Sequence, residues 1–285
     1  MKIKENTEAT KDLSIIVTAY GKPELLELCL RSIKKRVDPR LNYEIIVSSS
    51  ATDEATYDLI REKFAQEVIF LPHQQNKGFG YVANRGIERA RGKFLFIINH
   101  DIIIKDDAVQ RLIDFLKKNP DVGLVGPRLV NFDGSIQNSA FSFYKWRTIL
   151  YRRTFLRKTS FARRHLRQFL LVDKIKEGRI VDVDWLMGSA LMTRAEAVRK
   201  VELFDERFFM YFEDVDWSWR FWQAGYRVVY NQEVTVAHYH GKASSNTSVF
   251  KAILFNKYTR IHIDSAIKFF RKHFRENNPR LNWKN

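Results

Sequence analysis

The chain has 285 residues, 45% of them hydrophobic and 14% aromatic, which is enough to bury one core of ordinary size and far from the composition of a disordered chain. Its 49 Lys and Arg against 33 Asp and Glu give a net charge of +16, which favours a polyanionic partner: nucleic acid, an anionic membrane surface or a phosphorylated substrate. A single cysteine excludes an intrachain disulfide framework, and no apolar run approaches the ~20 residues of a membrane-spanning helix.

Residues 1–12 form a polar tail of mixed charge without the apolar stretch of a signal peptide, which leads to the expectation of a cytoplasmic, non-spanning protein. Short runs rich in β-branched residues follow at 13–17, 43–47, 68–71, 94–98 and 122–125, and each reads as a buried strand. Between them, helical spacing appears at 23–35, with Pro23 in the first turn, and at 53–64, 79–91 and 106–118. Cys29 falls in the first of these beside Leu25, Leu26 and Ile33 and is expected to pack in the core. Alternating strands and helices predict an α/β domain with a mostly parallel sheet flanked by helices, whose ligands sit beyond the carboxyl ends of the strands.

After Pro127 the rhythm changes. Residues 141–176 read as a basic aromatic insertion within a run, from Asp133 to Asp173, that has no acidic residue between its ends. Lys145, Arg147, Arg152, Arg153, Arg157, Lys158, Arg163, Arg164 and Arg167 all fall there. Apolar runs return at 180–192, a helix is predicted at 213–224, strand-like segments at 226–230 and 234–237, and a basic helix at 249–275.

Several segments carry groups suited to chemistry. Asn99-His100-Asp101 ends an apolar strand abruptly, and one well-placed carboxylate suits a hard divalent cation that keeps its other positions for water and phosphate; the same residues also suit a polar turn. Glu213-Asp214 and Asp216 open a helix, where acidic residues either complement the macrodipole or, at an acceptor, take a proton from an attacking hydroxyl. His238-Tyr239-His240 follows the last strand-like run, and either histidine is a candidate metal ligand or a structural residue. Glycines between Asn76 and Gly86 permit close backbone approach to a ligand, with Asn84 on the helix that follows.

In their order, these segments resemble glycosyltransferase family 2, in particular its bacterial rhamnosyltransferase-like branch. Thr18-Ala19-Tyr20 is similar to the family's nucleotide-contacting strand, Ser48 to Asp53 to its serine-rich loop, and Asn76, Gly78 and Asn84 to the branch's asparagine-glycine signature. Asn99-His100-Asp101 stands where the family has its metal-binding DxD, Trp185-Leu186-Met187-Gly188 resembles the acceptor-side loop, and residues 204–216 resemble the catalytic-base segment.

The resemblance implies a GT-A fold over residues 13–245, a nucleotide-diphosphate sugar donor, and Mg²⁺ or Mn²⁺ held by Asp101 with His238 or His240. It also implies inversion at the anomeric carbon, with Asp214 as base beside Glu213, and Asp216 on the acceptor side. The best-matching donor is dTDP-rhamnose, with other UDP- or GDP-sugars as alternatives, and the acceptor is a glycan or lipid-linked glycan. Ser48 departs from the aspartate expected to read the base, which shifts that role toward Asp53 and the Thr18 strand. The basic insertion and the C-terminal extension, residues 246–285, suggest peripheral attachment to an anionic membrane. A nucleic-acid binder using Trp146, Tyr151 and Phe155, or a non-catalytic descendant of the family, are the alternatives. The oligomeric state is open.

Overall fold

The computed structural model describes residues 10–153, 155–176, 178–239 and 257–283. Strands β1 (Lys11–Ala19), β2 (Tyr43–Ser49), β3 (Val68–Pro72) and β4 (Gly92–Asn99) run parallel in the order β3-β2-β1-β4, joined by helices α1 (Pro23–Arg36), α2 (Glu54–Lys63) and α3 (Phe79–Arg89). The sheet continues through β10 (Ala190–Arg194), β6 (Val122–Val130), β11 (Arg227–His238) and β5 (Ile102–Ile104). Strand β10 is antiparallel to both β4 and β6, whereas β11 is parallel to β6. The sheet is thus mostly parallel, as the alternating pattern predicts.

Both faces of the sheet are covered, which is why its strands read as continuous apolar runs rather than alternating ones. Leu13, Ile15 and Val17 of β1 join Leu26, Leu30 and Ile33 of α1 and Leu112 of α4 (Ala108–Lys118) in one cluster. Ile16, pointing the other way, belongs to a second cluster with Ile87 of α3 and with Phe204, Trp217 and Phe221. Trp217 and Phe221 come from α9 (Glu213–Gln223). Cys29 is fully buried, and burial pushes its thiol well above the ordinary range, so it packs rather than reacts.

One expectation about continuity is corrected. The strand-like segments at 226–230 and 234–237 are one strand, β11, with a register shift between Asn231 and Thr235 that lets it pair with β6 on either side of the irregularity. The basic stretch from Phe141 is tied to the core at its start: β7 (Ala140–Phe141) pairs with β9 (Trp185–Leu186), and the stretch then forms α5 (Trp146–Arg153), a 3-10 turn, α6 (Ser160–Phe169) and α7 (Val172–Lys176). Phe141, Tyr144 and Phe169 are buried in the aromatic cluster.

The C-terminal helix α10 (Lys257–Lys272) is docked as firmly. Asp216 of α9, fully buried, accepts from Arg220 Nε at 2.9 Å, Lys272 Nζ at 2.7 Å and His273 Nε2 at 2.9 Å. Burial alone raises the Asp216 pKa, but the His273 hydrogen bond and the two cations outweigh it and hold the carboxyl below its usual value. Residues 1–9 of the polar tail, 249–256 of the expected helix and His240 lie outside the described residues.

Candidate active site

Beyond the carboxyl ends of β1 and β4 opens a cavity of about 550 Å³. Thr18, Ala19 and Tyr20 from the end of β1 and Asn99 and His100 from the end of β4 line one part of it. Parallel pairing places Thr18 opposite Asn99, and the Thr18 hydroxyl donates to Asn99 Oδ1 at 3.0 Å. Asn76 and Gly78, before α3, also line the cavity. At Gly78 (φ +95) a Cβ would lie 2.0 Å from the Phe209 carbonyl oxygen, so the close approach that requires glycine is to the backbone of the loop before α9.

That loop positions Glu213 and Asp214. Tyr211 and Phe212 both adopt left-handed backbone (φ 67 and 69), a conformation that costs roughly 1–3 kcal/mol per residue and persists only where packing enforces it. Phe212 is enclosed by the rings of Tyr144 at 4.7 Å, His262 at 5.3 Å and Phe269 at 5.5 Å. The turn delivers Glu213 and Asp214 into the cavity at the first turn of α9. Asp214 Oδ2 accepts from the Gly188 amide at 3.0 Å, and its Oδ1 from the Val215 amide at 2.9 Å.

Burial pushes the Asp214 pKa up to about 6 against these hydrogen bonds. Glu213 is pushed well above the ordinary carboxylate range by burial and then by the Asp214 charge. Burial and mutual repulsion thus raise both members of the pair, and a proton is held more tightly there than on a free carboxylate. A buried carboxylate with a pKa close to working pH suits general-base chemistry.

A second polar centre lies where β5 meets β11. His238 Nε2 is 3.4 Å from Asp101 Oδ1, a buried oxygen with no hydrogen-bond partner. Gln137 fixes the imidazole: its amide nitrogen donates to Asn131 Oδ1 at 2.6 Å and to the His238 carbonyl at 3.0 Å, leaving its Oε1 to meet His238 Nδ1 at 2.7 Å. With Nδ1 engaged by Gln137, Nε2 is the ring nitrogen that faces the Asp101 carboxylate. A carboxylate oxygen and an imidazole nitrogen facing each other are a donor set that fits a divalent metal. Asp101 and His238 are not in the cavity lining, whereas Asn99 and His100 are. His100 is kept from protonating mainly by burial.

The sequence model described as glycosyl transferase family 2 matches residues 14–187. The chain belongs to glycosyltransferase family 2. N-acetylglucosaminyl-diphospho-decaprenol L-rhamnosyltransferase of Mycobacterium tuberculosis is 24% identical over 268 residues, covering 89% of this transferase and 84% of the relative. GalNAc-T7, solved with UDP, GalNAc and Mn²⁺, superposes with a TM-score of 0.62 at 15% identity over 93% of this chain and about half, 54%, of its own. The mannosyltransferase PcManGT of Pyrobaculum calidifontis, in complex with GDP-Man and Mn²⁺, gives 0.57 at 15% identity over 98% of this chain and 81% of its own. These likenesses establish the GT-A glycosyltransferase fold.

The transferase does not gather every residue that the sequence singles out. Thr18, Ala19, Tyr20, Asn76, Gly78, Asn99, His100, Trp185, Met187, Gly188, Glu213 and Asp214 share the cavity. Ser48 is buried in β2 with its hydroxyl 3.1 Å from His73 Nε2, and Asp53 caps α2 by accepting from the Thr56 amide at 2.8 Å. Asn84 is a strut: its amide nitrogen donates to the Phe204 carbonyl and its oxygen accepts from the Phe204 amide, both at 2.9 Å. Asp216 serves the α10 clasp. Each of these four side chains is already engaged by protein, and none lines the cavity.

Sequence reasoning missed Tyr144, Arg152, Tyr258 and His262, which line the cavity from the insertion and from α10. It also missed Gln137. The aromatic and basic content of the insertion was visible, but nothing local indicates which of its side chains turn inward.

Proposed function

We propose that the protein is an inverting hexosyltransferase that moves a sugar, rhamnose from dTDP-rhamnose being the favoured donor, onto a hydroxyl of a glycan or lipid-linked glycan in bacterial polysaccharide synthesis. The observation that carries the reading is the Asp214 carboxylate, buried in the cavity lining, anchored by the Gly188 amide and with its pKa pushed up to about 6 by burial. The acceptor oxygen forms a bond to the anomeric carbon as its proton passes to Asp214. The bond from that carbon to the diphosphate breaks on the opposite face, and its electron pair leaves with the nucleotide. No enzyme-bound sugar intermediate is needed.

Asp101 and His238 would hold Mg²⁺ or Mn²⁺. The cation, when bound, neutralises charge on the departing diphosphate. Asn99, oriented by Thr18, and Tyr20 serve the donor nucleotide, with UDP- and GDP-sugars as the alternative donors. Support for rhamnose and for a lipid-linked acceptor comes from the mycobacterial relative, which spans most of the chain.

Thermal-shift measurement with dTDP, UDP and GDP in the presence of Mn²⁺ tests the donor, because a ligand of the native state raises its stability by mass action. A larger shift for dTDP is expected. Hydrolysis or transfer of the corresponding nucleotide sugar tests the activity, and its absence for every donor would remove the transferase reading.

Attachment to an anionic membrane surface is supported by a specific feature of the insertion. Trp146 (72% exposed), Leu150 (39%) and Phe161 (57%) project from α5 and α6, interleaved with exposed Arg147, Arg163 and Arg164. Bulky apolar side chains among cations suit shallow insertion at a headgroup layer. No helix among the described residues is long and apolar enough to cross a membrane.

A further inference from the structure

The cavity reaches well past the carboxylates, and its two cations both come from parts of the chain outside the alternating core. Among the described residues that line it, Arg152 of α5 and Lys257 of α10 are the only Lys or Arg; neither makes an ion pair with a described carboxylate. Both side chains are exposed where they line the cavity, whereas the more enclosed cations among the described residues are already engaged. Arg220 pairs with Asp216, Arg227 with Asp182 and Asp121, and Arg280 with Asp184, while buried Arg194 donates to the carbonyls of Val122 and Leu116.

Arg152 is nonetheless held in place. Its Nη1 donates to the Tyr144 hydroxyl at 2.7 Å, and its guanidinium lies 5.5 Å from the centre of the Phe169 ring. Tyr144 in turn packs on Phe212, the residue immediately before Glu213-Asp214. The guanidinium is therefore registered to the same turn that sets the base, with donors to spare. A planar cation with unused N–H groups, lining one cavity with a second cation, suits phosphate oxygens. In the transferase reading the acceptor hydroxyl meets Asp214, and Arg152 is tied through Tyr144 to the turn that carries it.

Resting on the transferase reading, we infer that Arg152 and Lys257 receive the phosphate or diphosphate of an acceptor sugar linked through that group to a carrier. The anion anchors the acceptor while the aromatic walls, including Tyr144 and Tyr258, flank its sugar. Acceptor choice is then made by charge at a distance from the reacting hydroxyl, and the insertion and C-terminal helix exist to supply that charge.

The donor also carries a diphosphate, so the test must separate the two anions. Farnesyl diphosphate is titrated onto the full chain with Mn²⁺ and a saturating amount of whichever nucleoside diphosphate stabilises the protein most. Binding is expected to persist with the nucleotide in place, and Arg152→Gln together with Lys257→Gln should weaken it tenfold or more, with Arg152→Lys retaining more than Arg152→Gln. The nucleotide-induced melting shift of each variant reports that the fold is intact, and each single substitution is read beside the double one. Competitive displacement of farnesyl diphosphate by the nucleotide would assign the cations to the donor, and wild-type affinity in the double variant would overturn the site. Failure of the transferase reading itself has a different signature: no nucleoside diphosphate stabilises the protein and no nucleotide sugar is turned over.

Discussion

Gln137 and His238, 101 positions apart in the chain, are joined by a 2.7 Å hydrogen bond that turns His238 Nε2 toward Asp101. Partners of this kind tune metal affinity by roughly 10–100-fold. Gln137→Leu should therefore raise the Mn²⁺ concentration for half-maximal activity by about that factor, with kcat at saturating metal largely retained. Mn²⁺ titration of nucleotide-sugar turnover checks it; an unchanged requirement would show that His238 is not a ligand.

Asp101→Ala should abolish metal-dependent turnover and leave the melting temperature near that of the native protein, since this carboxylate terminates a strand and packs little of the core. Activity and melting are measured on the same preparation. Full Mn²⁺-dependent activity in the variant would make Asp101 a turn residue.

Asp214→Asn keeps the shape of the side chain but cannot accept the acceptor proton. It should bind the donor normally and lower kcat by roughly 10²-fold or more, a typical general-base contribution. Unchanged kcat, with chemistry shown to be rate-limiting, would leave anchoring of the Gly188 loop as the role of this residue.

The raised pKa of Asp214 has a defined sign for both activity and stability. The proposed base acts in its ionised form, so kcat/KM should rise with pH through a value near 6 and level off above it. Stability runs the other way: the folded state holds the proton more tightly than the unfolded chain does, so this contribution is complete below about pH 4 and is lost as pH rises through 6. Asp214→Asn should flatten the stability change over that window, which urea melts at pH 4.5, 6 and 7.5 would show.

Asp216 is surrounded by Arg220, Lys272 and His273 with no solvent exposure. Removing one member of a buried charge cluster strands the others and costs roughly 3–5 kcal/mol. Asp216→Ala should destabilise the protein by about that amount and loosen α10, raising the rate of proteolytic cleavage in the C-terminal helix. A loss below about 1 kcal/mol would mean that apolar packing of Phe269, rather than the clasp, holds this helix.

Anionic liposomes should retain the protein at low salt and release it as salt rises, because each adsorbed Lys or Arg contributes about 1 kcal/mol within a short screening length. Changing Arg147, Arg163 and Arg164 to Glu should abolish retention, and Trp146→Ala should weaken it. Equal partitioning onto neutral vesicles would remove the electrostatic part of the reading.

What the sequence determined by itself was the core and the order of its elements. Runs such as 13–17 and 94–98 are apolar throughout because both faces of a parallel sheet are covered, and that signature is local. The ends of those strands, Thr18 and Asn99, and the helix opening at Glu213-Asp214 were legible for the same reason: polarity changes abruptly where an element stops. Tertiary structure decided the use made of each polar side chain. Asn84 binds Phe204 and Asp216 binds Lys272 and His273 rather than reaching the cavity, while Gly188 meets Asp214, Gln137 meets His238, and Arg152 and Lys257 converge on one cavity. A hydrogen bond or ion pair between residues tens of positions apart depends on strand register and helix docking, and no short window of sequence carries that distance.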